Sequence, residues 1–477
     1  MSEIPDLLRL DKIPVSYEQL LETSLLEPST FQAGTSTQDG FASFILERKG
    51  FLHSHSKLFL SIQPSDTNAR AFLPQNIGIA SVIRRATLRA GNAVINEIDD
   101  WSHLHMIKSA EIDNENNVER EQYVTGRTAN LRYLYREFNA GVQSFNVNNS
   151  RYSGPDNSRE YGTNGEDLEV LPFANMAAAA LDQCPVYSVD VSDLFPFLKT
   201  HSLPLYMIDQ ELTIELTFVN TLSRACLPLG ANQAVQYTID RNELKFCADY
   251  IFYTENDVMQ RYADANPSLE FAFPDYRLSK QSVVVDSGAA PPAQPLNDGI
   301  IRNIGMANRL VSRVLTTITN DALTMVSING KYVSQAPERA GNPATNPGTI
   351  RYNVRYNDRF EYPIDIINPA QLFSNFTQAE SLLFRNREEY SNQQGGLGGS
   401  AVGNNTMKFE GNDVNTALAG KSFFLGTKLT NGRVGSRGIE LHYTGTNYAD
   451  ASYTVRCYSE YLRIAKLSQG GFTIMNV

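Results

Sequence analysis

The chain has 477 residues and a net charge of −11, with 19% charged and 42% hydrophobic residues. That length suits two β-domains of roughly 200–250 residues each, and the composition excludes an intrinsically disordered chain. The acidic balance excludes a molecule that tracks nucleic-acid phosphates over its whole surface, because that needs concentrated Lys and Arg.

Residues 1–30 read as an N-terminal arm. They mix Leu with acidic groups around Pro14, and a short helix is expected over 17–22. The start, Met-Ser-Glu-Ile-Pro-Asp, has neither the basic region nor the apolar stretch of a signal peptide. No stretch of about 18 apolar residues follows, so no membrane-spanning helix is expected, and synthesis in a reducing compartment is the expectation.

Strands are expected over 41–48, 57–62, 77–91 and 94–98, with Gly91-Asn92 as the turn of a hairpin. Residues 99–140 switch to a helical period, carried by Leu104, Ile107 and Ile112. Residues 146–168, rich in Asn, Ser, Gly and Asp, read as a loop. A strand over 186–191, a short helix over 194–199 and strands over 210–218 and 244–253 complete the first half.

The pattern breaks at Ala263-Asp264-Ala265-Asn266-Pro267. The second half is read as opening with a strand at 281–285, followed by a loop containing Pro291, Pro292 and Pro295, which cannot join a central strand. Dense β-branched content over 302–318 and a turned strand over 325–333 come next. Residues 334–349 and 391–406 read as loops. The Phe-rich stretch 421–428 echoes 193–199, and strands over 438–443 and 453–464 end the chain as 210–218 and 244–253 end the first half. The division is therefore 1–30, 31–265 and 266–477.

The four cysteines, Cys184, Cys226, Cys247 and Cys457, are widely spaced and form no Cys-x-x-Cys pair. Cys247 and Cys457 fall in apolar strand patterns, where the thiol acts as a small hydrophobe.

A family resemblance rests on several stretches. Ser188-Val189-Asp190-Val191-Ser192-Asp193-Leu194-Phe195-Pro196-Phe197-Leu198, then Ser202-Leu203-Pro204-Leu205-Tyr206 and the strand to Phe218, resembles a segment of double jelly-roll viral major capsid proteins. Asp249-Tyr250-Ile251-Phe252-Tyr253 resembles the strand that ends their first jelly roll. Tyr458-Ser459-Glu460-Tyr461-Leu462-Arg463-Ile464, followed by Gln469-Gly470-Gly471-Phe472, resembles their C-terminus. Ile98–His105 and Glu119–Tyr123 point, within that lineage, to polinton-like viruses and virophages, with nucleocytoplasmic large DNA viruses as wider relatives.

The resemblance implies an all-β chain of two tandem eight-stranded jelly-roll sandwiches, with short helices in the loops. It also implies a homotrimer that tiles an icosahedral virion shell beside neighbouring capsomers, penton proteins and minor or cement proteins. It implies no catalytic residue, no cofactor, no metal and no specific nucleic-acid recognition. Two alternatives stay open: a minor or penton component with one sandwich, and a carbohydrate-binding or carbohydrate-active β-sandwich.

Other patterns resemble sites. His103 and His105 would share a face if extended, and with Asp99, Asp100 or Glu111 they could ligate a metal; a polar face or a trimer contact is the simpler reading. Asp99 and Asp100 read as a solvated turn. Gly420-Lys421-Ser422 resembles the end of a phosphate loop, but Asn415 stands where that loop needs glycine. Asn148, Asn375 and Asn404 begin glycosylation sequons, read as unmodified. Arg84, Arg85 and Arg89 could meet genome phosphates, but read more simply as solvated charge or ion pairs.

Overall fold

The computed structural model describes residues 19–64, 70–74, 77–112, 124–126, 134–139, 142–147, 160–161, 173–174, 186–200, 202–221, 227–228, 236–253, 256–285, 299–320, 332, 334, 350–365, 375, 425–430, 432–445, 451–468 and 471–476. Strands dominate, and every described strand pairing stays on its own side of residue 265.

The same wrapping order occurs twice. In the second half the principal strands, in chain order, are Ser268–Val285, Ile300–Gly305, Val311–Asn320, Ile350–Tyr356, Arg359–Phe360, Leu425–Lys428, Ile439–Gly445 and Ala451–Ser468. The first pairs with the eighth, the eighth with the third and the third with the sixth. The second pairs with the seventh, the seventh with the fourth and the fourth with the fifth. These two sheets, the first extended by Gly471–Asn476 on the eighth strand, have the nested order of a jelly roll.

The first half repeats it with Gln19–Leu26, Gly40–Ile45, Lys57–Leu60, Ile83–Ala90, Ala93–Ile98, Tyr187–Asp190, Leu212–Phe218 and Lys245–Tyr253. Gln19–Leu26 runs antiparallel to Lys245–Tyr253 from Phe246 to Tyr253, and that strand pairs onward to Lys57–Leu60 and then to Tyr187–Asp190. Gly40–Ile45, Leu212–Phe218, Ile83–Ala90 and Ala93–Ile98 make the facing sheet.

The residues explain these strands. Leu212, Ile214, Leu216 and Phe218 are buried, while Thr213, Glu215 and Thr217 are only partly so, which is the alternation of a sheet with one covered face. Gly91 takes a left-handed backbone in the expected hairpin, between Ala90 and Ala93.

Several elements differ from expectation. Residues 19–22 of the expected helix are strand: Gln19–Leu26 pairs in the sheet, so the segment read as an arm contributes the first strand of the first sandwich. Its Leu spacing resembled a helix face, but the long partner strand overrides local preference. Residues 78–82 are a 3-10 turn before the strand, not part of it. Leu134–Asn139 is a strand paired with Val142–Val147, not a helix. Helix Asn256–Ala265 precedes the break at 265. Ser268–Val285 starts thirteen residues before the expected 281. Pro274 and the charges near it hid this strand; it lies at a sheet edge, where a missing N–H is tolerated. The echo between 193–199 and 421–428 is one of composition only, because Pro196–Thr200 is helical and Leu425–Lys428 is a strand. The expected loops at 335–349 and 391–406 and most of the strand expected at 325–333 lie outside the described residues.

Candidate assembly site: the seam between the two sandwiches

Strand Ala451–Ser468 holds the two sandwiches together. Its successive residues point to opposite faces. Tyr453, Val455 and Cys457 enter the core of the second half, while Tyr458 belongs to the core of the first. The residues from Tyr453 to Ser459 are consequently all buried, the pattern of a strand covered on both faces. Leu315, Tyr276, Phe271 and Phe273 join Tyr458 on the face turned to the first half. Phe197 meets Phe271 and Phe273 edge-on at 5.6 and 5.0 Å.

Three carboxylates lie along this seam, Asp100 and Asp275 buried and Glu460 mostly enclosed. Asp100 of the first half accepts from Arg456 Nε at 3.0 Å and Lys280 Nζ at 3.1 Å. Its backbone carbonyl accepts from the Tyr458 hydroxyl at 2.8 Å. Arg456 also donates to Thr319. Asp275 accepts from Arg463 at 2.6 Å, Tyr461 at 3.0 Å and Asn96 at 2.6 Å. Glu460 accepts from Arg313 at 2.7 and 2.9 Å, from Ser312 at 2.7 Å and from Tyr276. Lys108 stands 3.9 Å from Glu460 and over the Tyr276 ring.

A buried charge must be paired and hydrogen-bonded to be tolerated. Burial would raise the Asp100 carboxyl, but Arg456, His103 and Lys280 hold it well below the usual carboxylate range. Burial acts on Glu460 in the same direction, and Arg313 and Lys108 overcome it, bringing the group down to about 2. Burial outweighs Arg463 at Asp275 and pushes that carboxyl up.

These shifts carry a pH dependence. Glu460 is depressed from 4.5 to about 2, so its contribution is complete above pH 4.5 and is lost as pH falls toward 2. A shift of that size corresponds to about 3 kcal/mol. Asp100 has the same sign, while Asp275, raised on folding, works against them. Thermal melts of the wild type should therefore fall between pH 4.5 and 2, and Glu460→Gln should flatten that acid limb. An unchanged limb would show that Glu460 takes no part in it.

Sequence reasoning placed Asp100 in a solvated turn. The turn is present, and Asp100 has the left-handed backbone that Asp tolerates, but its side chain is buried. Its cationic partners lie about 180 and 356 residues away, so no local pattern marked it. Trp101 starts helix Trp101–Ile112, is fully buried and donates to the Asp193 carbonyl at 3.1 Å. A cavity of about 310 Å³ opens beside it, lined among others by His105, Lys108, Lys199 and Tyr276.

The other candidate residues are dispersed. His103 and His105 lie on that helix, where a spacing of two turns them to different faces. His103 packs on Tyr332 and His105 stacks on Trp101 at 4.7 Å. Among the described residues no group of three or more His, Cys, Asp or Glu side chains could hold a metal. Arg84 pairs with Asp39, Arg89 lies 3.7 Å from Glu215, and Arg85 is exposed. Cys247 and Cys457 are free thiols, the second raised to about 11 by burial. Asn375 is buried. Gly420-Lys421-Ser422, Asn415, Asn148, Asn404, Cys184, Cys226 and residues 119–123 lie outside the described residues, and Glu111 has no described side chain.

No protein-family model matches the sequence, and no curated protein sequence matches it. Solved structures do match. A chain of the Sputnik virophage structure aligns with TM-score 0.53 and 11% identity, over 100% of this chain and 93% of that one. A chain of the PBCV-1 virus capsid aligns with TM-score 0.52 and 12% identity, over 97% and 98%. The Faustovirus major capsid protein aligns with TM-score 0.50 and 9% identity, over 94% and 90%. The chain is a tandem jelly-roll protein. More particularly, it has the double jelly-roll fold of these viral structures, as its sequence motifs indicated.

Proposed function

We propose that this chain is a major capsid protein, the repeated subunit of an icosahedral virion shell, with no catalytic role. One observation carries this reading: the eight-strand order occurs twice along a chain that viral capsid structures match from end to end. The seam supports it, because a strand buried on both faces and the crossing contacts of Asp100 with Arg456, Glu460 with Lys108 and Asp275 with Asn96 join the two sandwiches into one rigid block. Rigid blocks with few exposed sheet edges suit a shell.

Within this reading the first jelly roll extends from Gln19 to about 265 and the second opens at Ser268. Three copies form a capsomer with a pseudo-hexagonal outline, which contacts further capsomers and penton and minor proteins. Ion pairs at Arg84 and Arg89 and the net charge of −11 favour a shell without specific genome recognition.

Sedimentation velocity of the full chain should give a species of three times the 53.1 kDa chain mass. A species of 53.1 kDa alone at micromolar concentration would contradict the trimer.

A further inference from the structure

The cavity beside Trp101 lies between the two jelly rolls, and both build it. Its volume of about 310 Å³ falls in the range of small-molecule sites, roughly 300–1,000 Å³, which gather where domains meet. Ile98, Leu104 and Pro196 line it from the first jelly roll, Pro274 and the Tyr276 ring from the second. These give it apolar walls, and His105, stacked on Trp101 at 4.7 Å, adds a flat ring.

The charges of the lining do not balance. Arg313 and Glu460 neutralise each other, in contacts of 2.7 and 2.9 Å, and Ser312 and Tyr276 bond the same carboxylate. That pair is nearly enclosed, with side-chain exposures of 12% and 14%. In the rest of the lining two lysines, Lys108 and Lys199, stand against one carboxylate, Asp193, which is exposed and screened by water. Lys108 comes within 3.9 Å of Glu460 and lies over the Tyr276 ring, so its ammonium is held at the wall shared with the second jelly roll. Lys199, in the last turn of helix Pro196–Thr200, is exposed and therefore stands where the cavity meets solvent. It has no carboxylate partner among the described residues. One positive charge is left in excess. An apolar chamber with a few placed polar groups suits a ligand with an apolar body, and the excess cation adds a preference for one acidic group.

We infer that this cavity is a binding site for a small amphipathic anion, its apolar body between the two jelly rolls and its acidic group at Lys108 and Lys199. Such a ligand touches both halves of the chain, so its binding adds a bridge across the seam and stabilises the folded chain by mass action. The site goes beyond the capsid reading and does not depend on it, because the cavity is built within one chain.

The test uses two dyes, anilinonaphthalene sulfonate and its neutral analogue N-phenylnaphthylamine, which differ by the sulfonate alone. Both brighten in apolar surroundings and accept excitation energy from tryptophan, and the one tryptophan of the chain lines the cavity. Titrated into the full-length wild type, the sulfonate should saturate, quench Trp101 and bind about tenfold more tightly than the neutral dye. Lys199→Glu reverses the excess charge and should weaken the sulfonate about tenfold, with the neutral dye changed less than about twofold. Ser192→Phe fills the cavity from its lining and should remove binding of both dyes. Lys428→Glu, at an exposed lysine outside the lining, should change neither. Circular dichroism verifies the fold of each variant, and exposed Lys199 keeps the test decisive if Ser192→Phe does not fold. Tighter binding of the neutral dye, bound sulfonate that leaves Trp101 unquenched, or sulfonate affinity unchanged in either folded cavity variant would overturn the site. None of these readouts involves association between chains, so a monomeric wild type would overturn the trimer and leave the site standing.

Discussion

Arg456→Ala should destabilise the folded chain by about 3–5 kcal/mol, because removing one partner of a buried ion pair leaves the other charge uncompensated. Arg456 and Asp100 are both almost fully enclosed, with side-chain exposures of 7% and 9%. Their pairing joins the last strand of the second jelly roll to the turn that starts helix Trp101–Ile112 of the first. Lys280 still reaches Asp100 at 3.1 Å, but it is partly exposed and cannot supply the Arg456 bond to Thr319. Chemical denaturation monitored by far-ultraviolet circular dichroism measures the loss. The paired change Asp100→Asn with Arg456→Met should recover part of it, since it removes the unpaired charge with the partner. A loss under about 1 kcal/mol, the range of exposed ion pairs, would mean that the seam does not depend on this contact.

Trp101→Ala should cost a similar amount, about 3–5 kcal/mol, through the cavity left in the first core. The indole is fully buried, stacks on His105 and bonds the Asp193 carbonyl, so it ties the helix to the Val191–Leu194 turn. Trp101→Phe keeps most of the volume and should lose less, mainly the bond to Asp193. The midpoint of urea denaturation orders the two variants, and equal small effects would contradict a packed site. Trp101 is the one tryptophan of the chain, so its fluorescence in the wild type reports the seam directly.

Much of this architecture was legible in the sequence. Alternating strands such as Leu212–Phe218 announce themselves, because one face is buried and the other solvated. The Gly91-Asn92 hairpin follows from turn chemistry. The two closing pairs gave the duplication, though the members of each pair lie in facing sheets instead of side by side. The misses have a common cause. Gln19–Leu26 and Ser268–Val285 are edge strands whose partners lie more than 160 residues away, and a distant partner can impose a strand on residues with ambiguous local preference. The seam was hidden for the same reason. Asp100 looks solvated until Arg456 and Lys280 are brought to it, and the His103–His105 pair resembles a ligand set only if the segment is extended, whereas it is helical.

Electron cryomicroscopy of the purified full-length oligomer tests the central claim most directly. The account predicts three chains around one axis, each contributing two complete jelly rolls, with Arg456 density continuous with Asp100 between them. A particle whose chains each contribute one sandwich, or whose two sandwiches are separated by solvent at Arg456, would contradict it.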